Sequence, residues 1–449
     1  MSNFWGRYKI LIILMFGGVM LYGQPKSNSP YSRIGLGDFW STNFAALNGM
    51  ADISAAYNDP YHVNINNPAS LGYLYATSFE VGVRAKYGNL ETATQSVDVR
   101  SGNLAYISLG FPIKNPIGRV LDRDQSKVNW GMNFSLTPYT TVGYLVKTEE
   151  LRPEPLDLIK YNFEGTGGTY KFLWGNGVKV NDISFGANIG FLFGKIDQSQ
   201  EVRFDSLSAS YRDILLSNIS HNAFVWNVGV QYDVIFKKKK PDGSYEPNGK
   251  QLTLGLFGNS NMDFNTKSTV FNSRFNPAYG SLDTISFDPL AKGSGKLPGE
   301  FSLGIMYKKK NKLKLGLDYS QAFWSQYKNE SKNEGALNNT FRIAVGGELI
   351  PDISSYNSYG KRMRYRFGAF YSTDPRNDGF NEQLTSYGIT IGLGFPVILP
   401  RQEQSFINVA FELGQFGSES EQFLKETYAQ MTVGFTLNDN SWFFKRKFN

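Results

Sequence analysis

The chain has 449 residues, and its hydrophobic fraction of 41% with a mean hydropathy of -0.33 is too polar for a bundle of membrane-spanning helices. Aromatics at 15%, with 26 Tyr and 35 Phe, and 46 Gly exceed ordinary globular usage, while Cys 0 and His 2 leave almost nothing for thiol or imidazole chemistry. The net charge of +7 raises a nucleic-acid partner, but the basic residues fall in short runs at turns without a basic face interleaved with aromatics, which argues against one.

At the start, Arg7 and Lys9 precede an apolar run from Ile10 to Leu21 and then Gly23-Gln24. An anchor helix needs roughly twenty apolar residues, so this shorter run reads as a secretory signal peptide over residues 1–23. Export without cysteine means folding without disulfides in an oxidising compartment. Residues 24–76 lack strand alternation and hold Gly35, Gly37, Gly49 and the Asn66-Asn67-Pro68-Ala69 turn. Their apolar Phe39, Phe44, Leu47, Ile53 and Leu71 argue against a disordered tail. A large barrel can be plugged by its own chain, so this stretch is expected to be an N-terminal hatch.

From Thr77 to the end, segments of about ten residues place apolar side chains at every second position. The apolar phases begin with Phe79, Val81, Val83, Ala85 and Ala105, Ile107, Leu109, Phe111. They continue through Ile183 to Phe193, Trp226 to Val234, Leu252 to Leu256, Phe301 to Tyr307 and Leu313 to Tyr319. Phe341 to Leu349, Tyr365 to Tyr371, Tyr387 to Phe395, Ile407 to Leu413 and Met431 to Leu437 complete the regular set. With less regular strands near Trp130 to Tyr144 and Tyr161 to Val178, the pattern predicts about fourteen strands. The alternate phase is rich in Gly, Ser, Thr and Asn, where a sandwich facing bulk water would show Lys and Glu. The expected fold is therefore all-β: a transmembrane antiparallel up-and-down β-barrel over residues 77–449.

With both termini periplasmic, Asp197 to His221, Asn265 to Glu300 and Gln326 to Asn339 become long outer loops, while Asn181-Asp182 and Lys308 to Asn311 become tight periplasmic turns. Lys237 to Lys240, Lys308 to Lys310, Lys361-Arg362 and Lys445 to Lys447 then fall at the periplasmic rim. Glu149, Glu150, Asp197, Glu201, Asp374, Asp378, Glu419, Glu421 and Glu426 fall outside. Gly110-Phe111-Pro112-Ile113 and Gly394-Phe395-Pro396-Val397 are expected to end two descending strands, because proline cannot donate to the ladder.

The order of leader, glycine-bearing stretch, Asn67-Pro68-Ala69-Ser70-Leu71 and a strand from Thr77 to Tyr87 resembles the FadL-type outer-membrane transport family. In that family a hatch precedes a fourteen-stranded barrel and an NPA motif opens the first strand. Ser29-Pro30-Tyr31-Ser32-Arg33 to Gly35-Leu36-Gly37, with the closing Trp442-Phe443 to Lys445-Arg446-Lys447, is similar to a divergent branch of such barrels in gliding and type IX secreting bacteria. The resemblance implies Asn67, Pro68 and Ala69 as the hatch-to-barrel junction and passive uptake of hydrophobic or amphipathic, fatty-acid-like molecules across a Gram-negative outer membrane.

Catalytic chemistry is not expected. His62 lies in the hatch and His221 beside Ser220, where strand geometry points the two side chains oppositely. Gly165-Thr166-Gly167-Gly168 lacks the Lys-Ser/Thr of a phosphate loop, and Asp374 to Gly379 lacks the ligands of a calcium loop, so neither a metal nor a cofactor is implied. Alternation turns Glu80, Arg84, Lys86, Asp318, Arg342, Glu348, Arg366 and Glu412 inward, where they pair or hold the hatch. Arg84 or Arg366 could instead bind a substrate carboxylate bidentately; with Asp318 and Glu412 they are the candidate ligand-binding or hatch-pairing residues. Expected partners are outer-membrane lipid and a hydrophobic small molecule. The alternative function is a non-transporting accessory barrel in an envelope complex for secretion or outer-membrane protein assembly, suggested by the basic rim and the aromatic outer surface.

Overall fold

The computed structural model describes residues 29–41, 43–113, 128–152, 157–204, 211–241, 243–332, 335–377, 382–398, 404–418 and 424–439. The expected leader, the closing Trp442 to Lys447, and Asp378, Glu419 and Glu421 lie outside the described residues. Among the described residues, no helix is long and apolar enough to cross a membrane.

Fourteen of the described strands form a closed antiparallel barrel. They are β1 (Thr77–Glu91), β2 (Ser96–Pro112), β3 (Val128–Arg152), β4 (Asp157–Val180), β5 (Ile183–Phe204), β6 (Arg212–Lys239) and β7 (Tyr245–Asn259). The second half is β8 (Glu300–Lys309), β9 (Leu313–Ala322), β10 (Thr340–Leu349), β11 (Arg364–Asn377), β12 (Gln383–Ile398), β13 (Gln404–Gly417) and β14 (Lys425–Asp439). The ring closes where β14 pairs with β1, from Asp439↔Thr77 to Lys425↔Glu91. The rim holding Thr77 and Asp439 is the near rim below, and the opposite one the far rim.

Period-two alternation sorts the two faces. Val83, Ile305, Leu315, Ile391, Phe411 and Leu413 are exposed on the outside, while Ser135, Asn188, Thr253, Ser302, Thr390 and Thr432 are buried inside. One expectation fails locally. Ala105, placed by alternation on the outer face, is buried, because a bulge between Gly82 and Val83 skips it and pairs Val83 with Leu104 and Gly82 with Tyr106. The extra residue reverses the phase. Tyr106 keeps its expected inward phase, and Gly82 and Gly434 make room: a Cβ on either would lie 2.2 or 2.3 Å from that ring or its hydroxyl.

Two of the three expected outer loops, Asp197 to His221 and Asn265 to Glu300, are largely strand among the described residues. β3 to β6 run 25, 24, 22 and 28 residues, against 10 each for β8, β9 and β10. Between β7 and β8, Met262–Asn276 and Ser281–Leu297 form a hairpin whose first strand pairs with the far half of β6, from Arg212↔Phe275 to Ala223↔Phe264. Below it β7 and β8 pair directly, from Glu300↔Asn259, so the hairpin adds a wall on one side without entering the ring. The polar composition that suggested loops belongs to strands rising clear of the apolar band. Two smaller expectations change. Pro396 does not end β12, which continues to Ile398, because β12 pairs there with β13 alone and β11 has stopped at Arg364↔Gly394. Lys308 is not a solvated rim residue but is buried, with Nζ donating to Asn58 Oδ1 at 2.5 Å.

The described residues between 29 and 76 pack against inward-facing side chains of the ring. Phe44, Leu47, Met50, Ile53 and Tyr57 join the inward Ala105, Tyr106, Met306, Ala344 and Phe370 in one apolar cluster. The wall glycines are what allow this approach. A Cβ at Gly255 would stand 1.9 Å from the Ala55 carbonyl oxygen, and one at Gly346 would stand 2.4 Å from that of Met50.

Candidate functional site

Toward the near rim, the interior segment is held by charge. Asp59 Oδ2 accepts from Lys314 Nζ at 2.8 Å and from Arg364 Nη1 at 2.9 Å. Lys314 Nζ also stands 3.0 Å from Glu348 Oε1, and Arg366 Nε donates to Glu348 Oε2 at 2.8 Å. Asp59 and the side chains on β9, β10 and β11 are thus one cluster, with Glu348 and Arg366 only 1% and 2% exposed. Burial alone would push the Asp59 carboxyl up, but Arg364 and Lys314 outweigh it and hold it well below the ordinary carboxylate range.

Further pins surround this cluster. His62 Nδ1 lies 3.0 Å from Glu80 Oε1 and 3.3 Å from Thr436 Oγ1, and its ring stacks on Phe44 at 5.0 Å. Tyr73 donates to Asp233 Oδ2 at 2.7 Å, and Lys179 pairs with the same carboxylate. Asp318 accepts the backbone N–H groups of Ser54 and Ala55 at 2.6 and 2.8 Å.

Asn67, Pro68 and Ala69 are buried at the start of a short 3-10 turn, Pro68–Tyr73. Asn67 caps it, accepting from the Ala69 N–H at 3.1 Å and donating from Nδ2 to the Ala55 carbonyl at 2.6 Å. The turn lies against β4, β5 and β6, where Gly177, Gly186 and Gly229 leave room for Pro68 and Asn67. A proline at the first helical position fits there because that N–H has no partner within a helix.

Above the pinned half lies a cavity of about 520 Å³, lined by Trp40, Asp52, Arg84, Arg342, Phe370, Glu412 and Tyr428 among others. Arg84 Nε donates to Thr432 Oγ1 at 3.2 Å and Nη2 to Asn48 Oδ1 at 3.3 Å, both neutral partners, while its guanidinium lies 4.8 Å over the Trp40 ring. Glu412 accepts from the Tyr428 hydroxyl at 2.8 Å. The sequence-level candidates thus separate: Arg366, below the cavity, is bound to Glu348 and Asn408. Arg84, Asp318 and Glu412 line the cavity. Asp59, Lys314 and Arg364 escaped the sequence reading. Asp59 sits outside any alternating segment, and Lys314 and Arg364 lie at the starts of their strands.

Among the described residues, no group of three or more His, Cys, Asp or Glu could hold a metal ion. His221 is buried against Phe264 at 5.8 Å.

A family model described as BamG matches residues 7–449. No curated protein matches the chain. Solved structures share the fold at low identity. A Pseudomonas aeruginosa FadL homologue is 13% identical with a TM-score of 0.53, covering 89% of this chain and 98% of its own. The Pseudomonas putida toluene transporter TodX is 11% identical with a TM-score of 0.51, covering 87% and 98%. The CymD monoaromatic hydrocarbon channel is 12% identical with a TM-score of 0.50, covering 90% and 99%. Two of these neighbours are named as a transporter and a channel.

Proposed function

The chain belongs to the BamG family, and from that premise we propose that it is a non-transporting accessory barrel in an envelope complex for secretion or outer-membrane protein assembly. Residues 24–76 act as a hatch whose pinned half, around Asp59, stays in place, and the near rim faces the periplasm of a Gram-negative outer membrane. The observation that carries the reading is the buried Asp59–Lys314–Glu348–Arg366 cluster, which ties the interior segment to three adjacent strands. Releasing the segment would strand buried charges, at a cost of about 3–5 kcal/mol for each broken pair, which disfavours a hatch that shifts at every passage. The far-rim wall built from β3 to β6 and the added hairpin supports the same reading by offering a large protein surface beyond the membrane. Purification in mild detergent tests it: a stoichiometric protein partner is expected, and a barrel copurifying with lipid alone overturns it.

A second reading, passive uptake of a hydrophobic or amphipathic molecule, is favoured by the cavity with Arg84 on its wall. The guanidinium offers a bidentate site for a carboxylate headgroup. Deleting the protein should then reduce uptake of at least one member of a panel of fatty acids and aromatic hydrocarbons. Unchanged uptake across the panel removes this reading.

A further inference from the structure

The stretch from Ser29 to Trp40 lies on the far-rim side of the cavity, and its anchors differ in kind from those of the pinned half. Asp38 and Phe39 pair with Thr141 and Thr140 as a two-residue strand. That pairing falls where the wall is unzipped: β2 and β3 are joined from Ile107↔Leu136 to Pro112↔Gly131, and farther up β3 takes Asp38 and Phe39 in place of β2. Trp40 adds its backbone N–H to the Tyr139 carbonyl at 3.1 Å and its indole N–H to Thr141 Oγ1 at 2.7 Å. Gly37, at φ +107, passes so close to β3 that a Cβ would lie 2.5 Å from the Thr141 carbonyl oxygen.

Across the barrel this stretch is tied by Arg376, Tyr31 and Lys332, and Leu36 packs with Leu192, Val225, Phe264 and Leu297. Arg376 Nη1 donates to Asp38 Oδ1 at 2.7 Å and to the Tyr31 carbonyl at 2.9 Å, while its Nε and Nη2 engage Asp374 at 2.6 and 2.9 Å. The Tyr31 hydroxyl reaches the Leu424 carbonyl at 2.9 Å, and Lys332 Nζ donates to the Arg33 and Gly35 carbonyls at 2.6 and 3.0 Å. Asp38, Phe39, Trp40 and Arg376 all line the cavity.

We infer that Ser29–Trp40 is a displaceable strap that roofs the luminal cavity and completes the wall beside β3, latched shut by Arg376 on Asp38. The inference rests on neither functional reading, since a roof over the cavity serves a carrier or a sealed subunit alike. Two contrasts support a strap that lifts while the rest of the interior segment stays. A two-residue strand contributes few ladder bonds beside the fourteen-residue-scale pairings of the wall, such as those joining β12 to β13. The latch also carries its own replacement partner: when Asp38 leaves, Arg376 keeps Asp374, so opening strands no cation, unlike opening at Asp59.

The absence of cysteine makes the test direct. Ser320→Cys places one thiol on the cavity wall, and its labelling by a bulky, charged maleimide is timed on the purified protein in detergent. Arg376→Gln and, separately, Asp38→Asn are expected to raise the labelling rate about tenfold, the factor that corresponds to about 1.4 kcal/mol taken from the closed state. Adding Asp38→Cys with Thr141→Cys, oxidised before the label, should return the rate to that of the parent. Equal rates in parent and latch variants overturn the inference. So does a raised rate that the disulfide leaves unchanged, because access would then run by another route. Asp38→Asn decides the matter if Arg376→Gln fails to fold, since it keeps both backbone pairings.

Discussion

Replacing Asp59 with asparagine keeps the shape of the side chain and removes its charge. In the parent, Lys314, Arg364 and Arg366 stand against Asp59 and Glu348; in the variant the part-buried Lys314 and two buried guanidiniums face the single carboxylate Glu348. The bonds lost are charge-assisted, at 2.8 and 2.9 Å, to a carboxylate 3% exposed. Breaking a buried pair from one side costs about 3–5 kcal/mol, because the partner charges stay behind unneutralised. The wall ladders do not depend on Asp59, so the cost should fall on the interior segment. Hydrogen exchange followed by mass spectrometry should show amides of residues 44–76 losing protection by roughly 10²-fold or more, at about 1.4 kcal/mol per tenfold, while β12 and β13 keep theirs. Protection in the segment within about twofold of the parent would show that packing alone holds it. The same carboxyl sets a pH window. Its folded value lies well below the ordinary 3.8, so its contribution is complete above that value and lost only as pH falls through the lowered one. The difference in exchange protection between the parent and Asp59→Asn, measured at matched pH, should therefore be flat from about pH 7 to about pH 4.

Gly255→Val should loosen the segment while leaving the barrel closed, because its Cβ would fall 1.9 Å from the Ala55 carbonyl oxygen and backbone must yield; the expected cost is about 1–3 kcal/mol, read as above. Spin labels at Leu315 and Phe411 should report lipid and not water, and Phe411→Lys should cost about 2–4 kcal/mol in refolding into bilayers if that face meets acyl chains near the midplane. Replacing Met262 to Leu297 with a tight turn between Asn259 and Glu300, which already pair, should leave a barrel that still migrates as a folded species in unheated gels; loss of that species would show the hairpin to be part of the ring.

Alternation of apolar and small residues was enough to read the strands of the ring, about how many there are and the face most of their side chains take, because a β-barrel in lipid must satisfy its backbone between strands and can present only every second residue to acyl chains. The same reading turned Arg84, Asp318, Arg366 and Glu412 inward. It had no means to separate them by depth, and depth is what leaves Arg84 on a cavity while Arg366 is bound to Glu348 below it. Asp59 carried no periodic signal at all; its partners come from β9 and β11, about 250 to 300 residues away in the chain, and meet it only once the ring has closed. Ala105 was placed on the wrong face because a bulge is a tertiary accommodation, here beside Tyr106, whose hydroxyl accepts the Ala45 N–H at 3.1 Å. Composition likewise recorded the abundance of glycine but not its use. That the inward glycines of β7 and β10 are seats for the backbone of Met50 and Ala55 follows from packing between elements distant in sequence, and such packing leaves no periodic trace in either element alone.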